Sequence, residues 1–151
     1  MTTLTSQIGA KNFDWINEYI VKHFKAEPLR GETKLFHFGR FVSSGKVTAE
    51  MAKEGCVPAN ISELLAYAWD EKGDVVALGS FMEINGDRYV PILVRRGARR
   101  GLGLGWFGGG WGSEYQFLAV HTLPSDTLTL VSLESRVKKL EDVFTTLKQS
   151  I

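Results

Sequence analysis

Residues 99–112 read RRGLGLGWFGGGWG: two arginines, then seven glycines interleaved with two leucines, two tryptophans and a phenylalanine. Gly101, Gly103 and Gly105 alternate with Leu102, Leu104 and Trp106, and a period of two is the period of a β-strand. The alternation puts the glycines on one sheet face and the large residues on the other. A bare glycine face lets a second backbone, or a flat ring, come close. Gly108-Gly109-Gly110 then predicts a turn. EYQFLAVH (residues 114–121) predicts a returning strand, with Tyr115, Phe117, Ala119 and His121 on one face.

The strand reading removes a competing one. Gly103-x-Gly105-x-x-Gly108 formally matches a dinucleotide fingerprint. That fingerprint must follow a strand and open a helix whose N-terminus holds the pyrophosphate. Here the glycines run through a strand, and more glycine, Trp111 and another strand follow. The Gly-Lys-Ser/Thr ending of a P-loop is missing too.

Working toward the N-terminus, DVVALGSFMEINGDRYVPILVRR (residues 74–96) is two apolar runs around Asn85-Gly86. Asn-Gly suits a type I′ hairpin turn, which needs positive φ at both positions. Val75 to Glu83 and Arg88 to Val94 are expected to pair antiparallel. Pro91 lacks a ladder donor, so the second strand is expected to be an edge there or to carry a bulge. Together with the strands above, this predicts a four-stranded antiparallel meander over Val75 to His121.

The first half reads as helical. Phe13, Ile16, Ile20 and Phe24 recur every three or four residues behind Asn12, which predicts an amphipathic helix capped by Asn12 and ending before Pro28. KLFHFGRFVSSGKV (residues 34–47) is apolar with neither period ahead, so it is assigned as buried and its type stays open. Thr48 to Glu54 predicts a short helix stopped by Gly55. Asn60 followed by Glu63 suggests a capping box, with a helix from Ile61 to about Trp69. The fold class expected is α+β: N-terminal helices, then the meander, then a C-terminal coiled-coil-like helix.

That last element rests on spacing. Leu130, Leu133, Val137, Leu140, Phe144, Leu147 and Ile151 are separated by 3-4-3-4-3-4 residues, a heptad repeat with these residues at a and d. Arg136 at g and Glu141 at the following e would meet with opposite sign in a parallel dimer. The expected organisation is a globular domain over 1–124 and an oligomerising helix over 125–151, with a homodimer favoured.

Composition sets the outer bounds. The chain of 151 residues has 18 basic and 17 acidic residues, a net charge of +1, so no global field draws it to nucleic acid or an anionic membrane. A single cysteine, Cys56, precludes an intrachain disulfide and suits a reducing compartment. The first ten residues lack the pattern of a signal peptide, and no apolar run approaches a membrane span of roughly 18 residues. A cytoplasmic, membrane-free protein is expected.

Few residues suggest chemistry. Arg95, Arg96, Arg99 and Arg100 form a basic cluster, followed by Trp106, Phe107 and Trp111. Arginines for phosphates and rings for bases are the parts of a single-strand nucleic-acid surface. A solvated turn, a buried carboxylate partner or an anionic protein would use the same arginines. Cys56 and the scattered His23, His37 and His121 could form a Cys–His pair only if the fold brings them together. No residues are singled out as catalytic, metal-binding or cofactor-binding.

Five segments in this order, PANISELLAYA, VVALGS, RYVPIL, LGLGWFGGGW and FLAV, resemble a group of small bacterial proteins with no assigned activity. The resemblance spans roughly Val57 to Val120 and leaves out the heptad tail. It implies one compact α+β domain and transfers no site residue. The reading is a non-enzymatic, self-associating binding or adaptor protein. The alternatives are a single-stranded nucleic-acid binder using the arginine cluster, or a small enzyme whose site no motif reveals.

Overall fold

The hairpin of β6 (Asp87–Arg96) and β7 (Arg99–Trp106) is the backbone of the fold, paired in register from Tyr89↔Trp106 to Arg96↔Arg99. In the computed structural model, which describes residues 3–121, a mixed sheet grows outward from it. β5 (Met82–Ile84) folds back on β6 through Asn85 and Gly86, at φ +53° and +86°, as the type I′ turn requires. Sequence and structure agree at this hairpin.

They differ in the rest of the sheet. The expected four-stranded antiparallel meander is one mixed sheet of eight strands. Its order is β1 (Trp15–Ile16), β7, β6, β4 (Val75–Val76), β8 (Gln116–His121), β2 (Thr33–His37). β3 (Cys56–Pro58) also pairs with β8. β1 runs parallel to β7, and β4 runs parallel to β8. The helical half thus supplies three strands. The expected single strand from Val75 to Glu83 breaks after Val76. Gly79 donates its N–H to the Ala59 carbonyl at 2.8 Å, and the Ser80 hydroxyl accepts the Ile61 N–H at 2.8 Å. The chain leaves the ladder there to meet the start of a helix.

Pro91 sits in an interior strand, not on an edge. A residue's N–H and C=O point to the same side of a strand, and the Pro91 carbonyl accepts the Ala77 N–H at 3.1 Å. Its missing donor therefore faces the gap between the end of β4 and the start of β5.

The helices are α1 (Leu4–Gly9), α2 (Glu18–His23), α3 (Ser44–Lys53) and α4 (Ile61–Ala66). The helix expected behind Asn12 is largely replaced. Asn12 takes φ +52°, Trp15 and Ile16 join the sheet, and α2 starts only after Asn17, whose side chain accepts the Tyr19 N–H. Ile16 is consequently 40% exposed rather than part of the apolar stripe. α3 begins four residues before Thr48, capped by Ser43, and ends before Gly55 at φ +71°. α4 carries the full capping box: the Asn60 side chain accepts the Glu63 N–H, and the Glu63 carboxylate accepts the Asn60 N–H.

The α+β class holds. α1, α2 and α4 bury Leu4, Ile8, Ile20 and Leu64 against Leu93, Leu102 and Leu118 on one face of the sheet. α3 buries Val47 and Met51 with Ile92, Val94, Phe117 and Trp111 on the other. The glycines of β7 lie on this second face. No helix among the described residues is long and apolar enough to cross a membrane. The expected coiled-coil-like helix, with its seam of Leu130, Leu133, Val137, Leu140, Phe144, Leu147 and Ile151, lies outside the described residues.

Candidate functional site

The glycine face of β7 meets flat rings. A Cβ on Gly101 would overlap the Trp15 indole, and one on Gly103 would lie 3.1 Å from Trp15 Cη2. One on Gly105 would meet Ile92 Cδ1 and lie 2.7 Å from Trp111 Cη2. Close approach of rings is therefore why these positions are glycine, as the alternation suggested. The rings come from this chain itself.

Trp111 is fixed. It is 3% exposed, its Nε1–H donates to Ser44 Oγ at 2.9 Å, and Ser44 Oγ donates to the Phe107 carbonyl at 2.6 Å. Its backbone bridges Val42 in both directions, at 2.7 and 3.0 Å. Tyr115 and Phe117 pack edge-on against it, with centroids at 5.2 and 5.9 Å. Burial, and then the Asp74 carboxylate, push the Tyr115 phenol above its ordinary value, so it stays a neutral O–H. Trp106 is the opposite case. It is 52% exposed and lies over Gly108 and Gly109 of the turn. Phe41, 69% exposed, lies against Gly110, which has φ +76°.

Trp15, Trp106, Trp111 and Tyr115 border a cleft of about 520 Å³. Its floor is Gly103, Gly105, Ile92 and Val94; Trp15, Trp106, Trp111 and Tyr115 are its walls. Asn17, Leu104, Arg96, Gly109 and Gly110 complete the lining. This size is ordinary for a ligand site, and walls of rings with a few polar groups are the ordinary composition.

The arginine cluster divides between the two faces of the hairpin. Arg95 and Arg100 lie in phase with Leu93 and Leu102, on the face that α1, α2 and α4 cover, and share Glu71, at 3.5 and 2.9 Å. Arg100 also donates to the Asn12 carbonyl at 3.0 Å and stands 5.6 Å from the Phe13 ring. Arg96 lies on the cleft side and contacts both Asp74 oxygens, at 3.2 and 3.1 Å. Arg99, opposite Arg96 in register, has no carboxylate among the described residues. Thus Trp106, Phe107 and Trp111 gather at one end of β7 and the arginines at the other, and only Arg96 reaches the cleft.

Cys56 and His121 are brought together: they are register partners, with Sγ 3.7 Å from Nδ1. Burial pushes the thiol above its ordinary value, against the opposing Lys34 charge, so thiolate is scarce at neutral pH. His37 instead meets the Ser113 carbonyl at 2.9 Å. Among the described residues no three His, Cys, Asp or Glu side chains are placed to hold a metal ion.

Trp15 and Asn17 line the cleft and were missed by sequence reasoning, as was Ser44, which fixes Trp111 without lining the cleft itself. The glycine alternation demanded a ring from elsewhere, but Trp15 sat inside a helix-like spacing that hid it. No family model, no curated protein and no solved structure matches this chain.

Proposed function

We propose that the protein is a binding module, without catalysis of its own, that holds its partner in the tryptophan-walled cleft. The exposed Trp106 indole at the rim of a glycine-floored cleft is the observation that carries this reading. An indole in water retains most of its apolar surface as unspent binding area, and aromatic pairs are worth about 0.5–1.5 kcal/mol beyond burial. The recognised group is therefore flat or apolar. The heptad of Leu130 to Ile151 adds self-association, which multiplies a weak site through avidity. Arg95, Arg96 and Arg100 already have carboxylate partners, which favours this reading over a nucleic-acid surface.

The test titrates the full chain with a set of small flat and apolar compounds. It follows the indole N–H resonances of Trp15, Trp106 and Trp111. Compounds that move these signals, and bind at least tenfold more weakly to folded Trp106→Ala, support the proposal. A set that leaves the indoles unmoved sinks it. Light scattering of the full chain against Leu133→Glu/Leu140→Glu tests the assembly part, with a dimer expected to fall to a monomer.

A further inference from the structure

The cleft lies beside an open sheet edge. Alternate residues of a strand point their N–H and C=O to opposite sides. In β7 residues 101, 103 and 105 face β6, while 102, 104 and 106 face outward. The Arg100 and Leu102 carbonyls accept the Asp14 and Asn17 N–H groups, at 2.8 and 2.9 Å. The neighbouring chain then turns away at Asn17 into α2, so β1 covers only Gly101 and Leu102. Among the described residues no strand runs beside Leu104 and Trp106 on that side.

Open edges are normally guarded by charge or proline. The opposite edge strand, β2, carries Lys34, ion-paired with Glu54. Gly103, Leu104, Gly105 and Trp106 carry neither guard. On the cleft face Gly103 and Gly105 bring no side chain of their own, and Trp15, Ile92 and Trp111 pack over them. A strand laid along this edge would find main-chain partners at Leu104 and Trp106. Its side chain on that face would enter the cleft beyond the rings packed on Gly103 and Gly105, between Trp15, Trp106 and Trp111.

Resting on the binding-module reading above, we infer that the partner is an extended peptide. It adds a strand to β7 at Leu104–Trp106 and seats one apolar or aromatic side chain in the cleft. Main-chain bonds supply affinity in such a mode, and the side-chain pocket supplies selectivity.

The probe is a random octapeptide display library panned on the full chain. An enriched peptide is then remade with a single N-methyl group at each position in turn. Strand addition predicts losses of about tenfold at alternate positions and tolerance between them, since only every second N–H faces β7. It also predicts slowed hydrogen exchange at the Leu104 and Trp106 amides, and weaker binding to Leu104→Pro, which deletes an outward donor. The exchange and methylation arms use the unaltered protein, so a misfolded Leu104→Pro leaves them standing. A peptide that needs Trp106 but shows no alternation and no amide protection overturns the strand and leaves the cleft. So does a library with no enriched peptide when small flat compounds still bind. If neither peptides nor compounds bind, both readings fall.

Discussion

Adding one methyl group at each of three β7 glycines tests the geometry of the cleft floor. At Gly101 the new Cβ overlaps the Trp15 indole. Trp15 must swing out, taking with it the two-residue strand that Asp14 and Asn17 anchor to β7. At Gly105 the Cβ meets Ile92 and Trp111, and Trp111 is locked by Ser44. Overpacking of this kind costs about 1–3 kcal/mol. At Gly103 the nearest atoms lie at 3.1 and 3.4 Å, which shifts of a few tenths of an ångström relieve, so the cost there is below about 1 kcal/mol. At about 4 °C per kcal/mol, Gly101→Ala and Gly105→Ala should lower Tm by about 4–12 °C, and Gly103→Ala by less than about 4 °C. Thermal melts followed by circular dichroism read the ranking. Indole fluorescence separates the two damaging variants: Gly101→Ala moves Trp15 toward water and shifts emission to the red, whereas Gly105→Ala strains a buried ring. Equal losses at all three positions, or an unchanged Gly101→Ala, would refute the claim that ring approach makes these residues glycine.

Glu63, 2% exposed, provides a second test. Burial alone would raise its carboxyl, but the Arg30 guanidinium and the N–H groups of Asn60 and Arg30 outweigh that and hold it below its ordinary value. A depressed pKa stabilises above the unfolded value of about 4.3, and the stabilisation is lost as pH falls through the folded value. Glu63→Gln should therefore flatten the acid limb of a stability-against-pH curve; an unchanged limb would contradict the sign. Arg30→Ala strands the buried carboxylate and should cost about 3 kcal/mol in a urea melt, with acid unfolding moved to higher pH. Ser44→Ala orphans the Trp111 N–H and should cost about 1–3 kcal/mol, while weakening any cleft ligand. Gly86→Ala puts a Cβ at φ +86° in an open turn and should cost about 1 kcal/mol without touching the indole signals.

Local chemistry was legible in the sequence wherever one or two residues decide the backbone. The Asn60–Glu63 box, the Asn85-Gly86 turn and the stop at Gly55 all depend on caps and positive φ, which a few residues announce. The glycine alternation announced a face open to rings. What stayed hidden depends on partners far away in the chain. A two-residue strand such as Trp15–Ile16 has no period, so its apolar residues passed for one helical stripe with Phe13, Ile20 and Phe24. The short β4 looked continuous with β5 because Ala77 and Leu78 are apolar whether or not they are paired. Residues 34–47 hold part of a strand and the start of a helix, so neither period could prevail. The cleft was half visible: Gly103, Gly105, Trp106 and Trp111 were in the quoted stretch, while Trp15, Asn17, Ile92 and Val94 came from elsewhere.

The order of the strands sets how this domain comes into being. β8, the last described strand, is the bridge between β4, β2 and β3, and β1 waits for a partner 86 residues further on. Until residues 116–121 are made, the two wings of the sheet have nothing to join them. Such non-local pairing folds slowly, on the millisecond-to-second scale, because long loops must close before contacts repay them. The nascent chain therefore carries Phe36 and Cys56 without their β8 partners, Phe117 and His121, until that strand is made, a window in which aggregation competes with folding. Conditions that slow translation late in the domain should lower the yield of folded protein more than changes near its start.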